Sequence, residues 1–513
     1  MLKPLSGRLI GIIILGSLFS IVVALALFFR QETRPPALSD TIESPCPEAE
    51  TPDQWRLAQT IEGIAIEADP SCHPDDPHLV AASVLGTNHS IASLMQTRLA
   101  RDAIVKGRDL DSDGDPDEIE IRLEVTELNG HSADLETPAL QFQIAPGIYP
   151  GLWVFSPKTR GMATTDFLSN KAHAVLRLPS PVIRVEQGDE VTIILENSHY
   201  FPHTIHLHGI DHPFLQSDGS GNDGVPMVSE MPVLPGQAKR YRLAPRHPGT
   251  FFYHCHVQPQ THILMGLAGM IVVEKNQPNN RLQTLNIGAG RVRHRSAASR
   301  ENYDREFDLH YQEMDHRLHS LIQETDQPAL LAKRMNREYK IAERTPNYYL
   351  VNGRSFPLTL RESLVVVAPN ERIKLRVLNS GASTNYLHPH GHKPTVTHLD
   401  GVPLDQPITR DVIAIGPAQR VDLDLITADD GRHSYGQGVW LMHDHHEPAV
   451  TTNGINPGGD VSMIVYESHL QSNGMPKTHG SLEMFFDPAY YRGEIPVWGK
   501  LLPHLYGDES TQH

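Results

Sequence analysis

The side chains with the most chemistry in them are gathered in the stretch Gly249-Thr-Phe-Phe-Tyr-His254-Cys255-His256-Val-Gln-Pro-Gln-Thr-His262-Ile-Leu-Met265-Gly-Leu267. Its opening run, Thr250-Phe-Phe-Tyr, is aromatic and β-branched and predicts a strand, in which successive side chains point to opposite faces. His254 and His256 then share one face and Cys255 takes the other, so one segment can offer sulfur to one metal ion and two imidazoles to others. A His-Cys-His triplet followed shortly by another His carries the donors of a trigonal copper site of one Cys and two His, with imidazoles left for a neighbouring site. Upstream, His203-Thr-Ile-His206-Leu-His208 divides by parity in the same way, His203 toward the sulfur side and His206 and His208 toward the imidazole side. The second half of the chain adds Leu387-His388-Pro-His390-Gly391-His392 and Leu441-Met442-His443-Asp444-His445-His446, each with an His-x-His pair in strand phase.

With these four motifs, two in each half, the chain resembles the multicopper oxidase (laccase-like) family, and within it the members built from two cupredoxin barrels. The resemblance covers roughly residues 137–467. It implies a type 1 copper held by His203, Cys255 and His262, a type 2 copper held by His206 and His388, and a type 3 pair held by His208, His254, His256, His390, His443 and His445. Four coppers per chain follow. The axial position beside the type 1 copper falls to Leu267 when counted from His262 and to Met265 when counted from Cys255. Leu267 is favoured because the Met-Gly-Leu run shifts with the His.

An internal repeat agrees with a duplicated unit. Asp218, in Ser217-Asp218-Gly219, follows His208 by ten residues, and Asp400, in Leu399-Asp400-Gly401, follows His390 by the same ten. The second copy has Asn385 where the first has His203 and Asp444 where the first has Cys255, so only the first half is expected to hold a type 1 site. Asp400 is similar to the family's carboxylate beside the type 2 copper and is the candidate proton relay.

The resemblance implies one-electron oxidation of a small reducing substrate, phenol-like or a low-valent metal ion, coupled to four-electron reduction of dioxygen to water. Because each barrel carries half of the cluster ligands, it also implies a homotrimer with copper clusters at its interfaces. Two other functions compete. Copper nitrite reductase shares two barrels and a trimer but needs no His after the Cys, and a copper-tolerance protein would favour Met-rich tracts, which 13 scattered Met do not form.

These motifs need short strands and tight turns to hold them. Among 513 residues there are 38 Gly and 40 Pro, and several runs alternate with period two, so the fold expected is all-β: two cupredoxin-like Greek-key β-sandwich domains of antiparallel strands. The domains are read as 137–276, with the type 1 site, and 277–467, followed by a C-terminal arm at 468–513 with Phe485, Tyr490, Tyr491, Trp498 and Tyr506. Near Pro328–Arg344 a charged helical insertion is predicted. Residues 31–136 are read as a linker and an accessory α/β segment.

Leu9–Phe29 is an uncharged run of 21 residues, long enough to form a transmembrane helix, and is read as a membrane anchor with a cleaved signal as the alternative. The body then lies outside the cytoplasm, on the periplasmic or cell-surface side. There Cys46 and Cys72, the two cysteines besides Cys255, could pair. A formal charge of −17 argues against a nucleic-acid partner. Finally, Asp109, Asp111, Asp113, Asp115 and Glu120 fill the oxygen positions of a twelve-residue calcium loop, although a strand pattern rather than a helix follows.

Overall fold

In the computed structural model of the chain, the described residues are 59–61, 64–66 and 100–495, apart from 101, 132–137, 160–175, 281, 288–289 and 293–294. The anchor at Leu9–Phe29, the Cys46 and Cys72 pair, Trp498 and Tyr506 lie outside them. Among the described residues no helix is long and apolar enough to cross a membrane.

The fold is mostly β, as two sandwiches. The first packs a sheet of Ile104–Lys106, Glu118–Leu128, Leu152–Pro157, Glu190–Glu196 and Ala238–Leu243 against a sheet of Leu285–Asn286, Val182–Glu186, Ala268–Glu274, Gly249–His254 and His206–His208. Period-two alternation drives this: along Glu118–Leu128, Ile119, Ile121, Leu123 and Val125 turn inward. They meet Ile183, Val185, Ile271 and Val273 of the opposite sheet in one core. The second sandwich repeats the plan, with Phe307, Leu375, Val421 and Leu423 facing Val365, Leu387, Met442 and Ile464.

Three expectations are corrected. The first domain does not begin at 137, because Ile104–Lys106 and Glu118–Leu128 from the segment read as accessory are strands of its sheet. The sheets are not purely antiparallel either. Glu118–Leu128 runs parallel to Glu190–Glu196 and Val182–Glu186 parallel to Ala268–Glu274, matched in the second half by Arg305–Met314 beside Arg372–Asn379 and Val365–Val367 beside Ser462–Tyr466. The duplication seen in the motifs is thus repeated in the strand pairing. Lastly, the helical insertion, which includes His316–His319, Leu321–Glu324 and Pro328–Lys333, does not stay with its own domain. Leu318, Ile322, Leu331 and Met335 enter the first core, and Ile322 packs so closely on Gly151 that a Cβ there would lie 2.3 Å from it.

The described part of the C-terminal arm packs on its own chain. Phe485, Tyr490 and Tyr491 cover Phe356, Val366 and Val465, and the Tyr491 hydroxyl donates to the carbonyls of Phe356 and Pro457 at 3.0 Å each.

Between the sandwiches lies a buried ionic cluster. Arg184 binds Asp308 at 2.6 Å and Glu274 at 3.0 Å, and Arg376 binds Glu274 at 3.1 Å, Asp422 at 3.2 Å and Glu306. Both guanidiniums are buried, and their charges are matched by carboxylates from both halves. Arg376→Ala leaves Glu306 and Asp422 short of a buried cation and is expected to cost about 3–5 kcal/mol. The check is the denaturation midpoint, and an unchanged midpoint would show that the cluster carries no stability.

Candidate metal centre

Cys255 follows the last residue of the strand Gly249–His254, and the alternation persists beyond the strand end. Its sulfur is fully buried, with His203 Nδ1 at 3.5 Å and His262 Nδ1 at 3.4 Å. His203 comes from the segment before His206–His208, where its backbone N–H donates to Val233 O at 3.1 Å. His262 comes from the helix Pro259–Met265, started by Pro259 in its first turn and closed by Gly266 at φ 119. A Cβ on Gly266 would lie 2.6 Å from the Trp153 carbonyl, so the backbone crosses there only as glycine. This helix accounts for the seven-residue interval between Cys255 and His262. Leu267 and Met265 are both buried, and the backbone N–H of Cys255 donates to Leu267 O at 3.1 Å. That bond continues the pairing of His254 with Ala268, so Leu267 stands opposite Cys255 with its side chain on the same face.

On the other face, His206 is paired directly across the sheet with His254. His208 Nε2 and His254 Nε2 lie 2.8 Å apart, and the His256 ring stands 5.1 Å from His206 and 5.8 Å from His254. His206, His208, His254 and His256 form one quartet. The second sandwich builds another from the same register: His388 is paired with His443, His390 Nε2 is 3.1 Å from His443 Nε2, and His445 lies 5.5 Å from His388. Among the described residues, no ring contact joins one quartet to the other. Every copper ligand read from sequence is therefore brought next to its expected neighbours within its own half.

Electrostatics prepares these groups as ligands. Burial pushes His262 and His254 down to about 3 and His208 to about 4, so each imidazole keeps a free lone pair at neutral pH. Burial pushes the Cys255 thiol up to about 12, so metal binding there must displace a proton.

The second sandwich has no sulfur site. Asn385 Nδ2 donates to Asp444 Oδ2 at 2.9 Å, and Asp444 also accepts the backbone N–H groups of Tyr386 and His446 at 2.8 Å each. Asp460 packs beside them, and burial raises both acids above their ordinary range.

Two acidic positions differ from the sequence reading. Asp400 is paired with Arg420 at 3.2 Å, and its charge together with that of Arg420 reaches His208. The carboxylates touching ligands are ones the sequence reading missed: Glu447 Oε1 lies 3.3 Å from His445 Nδ1, Asp411 has its carbonyl 3.2 Å and its Oδ2 3.8 Å from His388 Nδ1, and Asp223 has its carbonyl 2.6 Å and its Oδ1 3.4 Å from His206 Nδ1. The signal for Asp223 was the Asp223-Gly224-Val-Pro turn, passed over for the ten-residue interval. The calcium loop does not form as read. Glu120 is taken by Arg122 at 2.8 Å and Arg240 at 2.7 Å, and Asp115 accepts the backbone N–H of Asn280 at 2.8 Å. The carboxylates that come together are Asp109, Asp111 and Asp117, and their oxygens accept backbone N–H groups of the same turn.

Fold and donors define a double β-sandwich protein that gathers one buried thiol and many imidazoles into groups able to hold metal ions. Two sequence profiles described as multicopper oxidase match residues 170–278 and 310–456, and the chain belongs to the multicopper oxidase family. It is 27% identical over 337 residues to the iron transport multicopper oxidase FET3 of Gibberella zeae, covering 60% of this chain and 47% of that protein. It is 28% identical over 262 residues to the multicopper oxidase MmcO of Mycobacterium tuberculosis, covering 50% of this chain and 47% of the relative. The chain thus spans about half the length of these curated relatives. Among solved structures, the multicopper oxidase mgLAC shares its fold, with a TM-score of 0.51, 24% identity, and coverage of 73% of this chain and 93% of that one.

Proposed function

We propose that the chain is a laccase-like oxidase built from two cupredoxin domains, taking electrons singly at the Cys255 site and delivering them to dioxygen at the histidine quartets. The observation that carries this reading is the covalent juxtaposition at 254–256: a buried sulfur within 3.5 Å of two imidazole nitrogens, flanked in the chain by two members of a quartet. The donor set fits copper, since a soft thiolate with two imidazoles suits a trigonal copper site and further imidazoles suit copper at the cluster. His203, Cys255 and His262 would hold the type 1 ion beside Leu267. The quartets would hold three more, giving four per chain and supplying four-electron reduction of dioxygen to water.

The protein's own groups do the rest. Leu267, Met265 and Trp153 keep water from the sulfur side, and all three are buried. Asp223 is placed to hold or pass a proton at His206, while Asp400, tied to Arg420, contributes charge beside His208.

A homotrimer is supported by where apolar side chains are left exposed. Met227, Val228 and Met231 project beside the turn that carries Asp223, and Tyr386 and Val412 project beside His388 of the second quartet. Contact between the first half of one copy and the second half of the next covers both patches and completes a cluster from two half-sets. The apolar run Leu9–Phe29 supports a location outside the cytoplasm, held at a membrane.

Oxygen uptake with a phenol and with Cu(I) as donors, run beside nitrite consumption, tests the activity. Oxygen consumption with either donor and none of nitrite is the expected result. Nitrite consumption would sink the oxidase reading, and copper binding without turnover would favour a sequestering role.

A further inference from the structure

Behind the sulfur site lies a line of polar groups that the ligand set does not use. His203 turns Nδ1 toward Cys255, and its other ring nitrogen, Nε2, lies 2.9 Å from Nδ1 of His199. His199 is 5% exposed, and its own Nε2 is buried without a hydrogen-bond partner, 3.7 Å from Glu127 Oε2. Glu127 in turn accepts the indole N–H of Trp153 at 2.9 Å and the hydroxyl of Tyr200. The Trp153 ring stands edge-on to His199 at 4.9 Å, to His262 at 5.2 Å and to His203 at 6.2 Å, so it holds all three imidazoles against lateral movement.

The direction of donation in this line is fixed by chemistry. An imidazole that gives its Nδ1 lone pair to a metal carries its proton on Nε2. For His203 the acceptor within reach is His199 Nδ1, which therefore holds no proton. The His199 proton is then on Nε2, the atom that faces Glu127. Donation runs one way, from the metal ligand to a second imidazole, whose remaining N–H faces a partly exposed carboxylate 3.7 Å away. Such outer partners orient a ligand and raise its basicity.

We propose that His199, oriented by Glu127, is a positioning residue that fixes the tautomer and ring plane of His203 and thereby sets the redox balance of the metal at the Cys255 site. The inference rests on the copper reading above. Without an acceptor for its N–H, His203 is a poorer donor and the oxidised ion loses stabilisation.

The test uses the full-length, copper-loaded protein and its variants His199→Phe, His199→Asn and Glu127→Gln, with copper content measured in each. The intense red-region band is titrated against a one-electron mediator. His199→Phe, which keeps a ring against Trp153, is expected to move the equilibrium about tenfold toward the reduced state. His199→Asn, whose amide oxygen still accepts, recovers most of the wild-type value, and Glu127→Gln moves it in the same direction as His199→Phe by less. A wild-type equilibrium in His199→Phe overturns the proposal. So does an equal displacement in His199→Phe and His199→Asn, which would assign the effect to packing. Should His199→Phe not fold, Glu127→Gln leaves both imidazoles in place, and an unmoved equilibrium there overturns the proposal by itself. A wild-type protein that takes up copper without the band is a different outcome, the failure of the copper reading.

Discussion

Cys255→Ser is expected to abolish the red-region charge-transfer band and reduce oxygen uptake to background with every donor. Sulfur is the one soft donor in the described metal positions, and its polarisable, covalent bond to copper is what an alcohol oxygen cannot reproduce. The change is nearly isosteric, and the site is closed on all sides, so the fold should survive. Cys255 lies on the opposite face from His254 and His256, whose rings belong to the quartet with His206. The cluster ions should therefore stay, with the near-ultraviolet shoulder retained and copper content falling from four to about three per chain. Turnover that persists without the sulfur would remove Cys255 from the electron route.

The second large effect concerns where the quartets meet. His254→Ala disables the first quartet and His443→Ala the second, and each protein alone should be inactive. Unfolded and refolded together, the two should regain oxygen uptake to about one quarter of wild type, because random trimers place an intact first half against an intact second half at one interface in four. Recovery of this kind requires that a cluster take ligands from two copies. If mixing restores nothing while both variants still assemble, the cluster is completed within a single chain and the trimer proposal fails.

The grouping of the candidate ligands was legible in the sequence because His-x-His and His-Cys-His spacings carry their geometry with them: a period of two sorts the rings onto faces whatever the rest of the sheet does. The loss of a second sulfur site was legible for the same reason, through Asn385 and Asp444. What escaped depended on partners distant in the chain. Glu118–Leu128 reads as a strand, but its parallel neighbour Glu190–Glu196 lies far downstream, so membership of the first sandwich had no local mark. The insertion near Pro328–Arg344 reads as helical, yet nothing in its pattern says that Leu331 and Met335 pack into the other domain. Asp223 was missed because a turn of Asp and Gly looks the same whether or not an imidazole sits beside it. The calcium loop matched by residue type while the side chain of Glu120 was already committed to two guanidiniums.

The closed position in the second half, where Asn385 and two buried acids fill the place of a metal, has a kinetic consequence. On the oxidase and assembly proposed above, such chains would own as many electron inlets as oxygen-consuming centres, with no centre fed from two sides. The four reducing equivalents spent on each oxygen molecule would then queue through one gate, so the interval between successive donor encounters would set how long a half-finished reduction waits. A chain of this design gains throughput by shortening that wait, through abundant or tightly docking donors, rather than by opening a second channel.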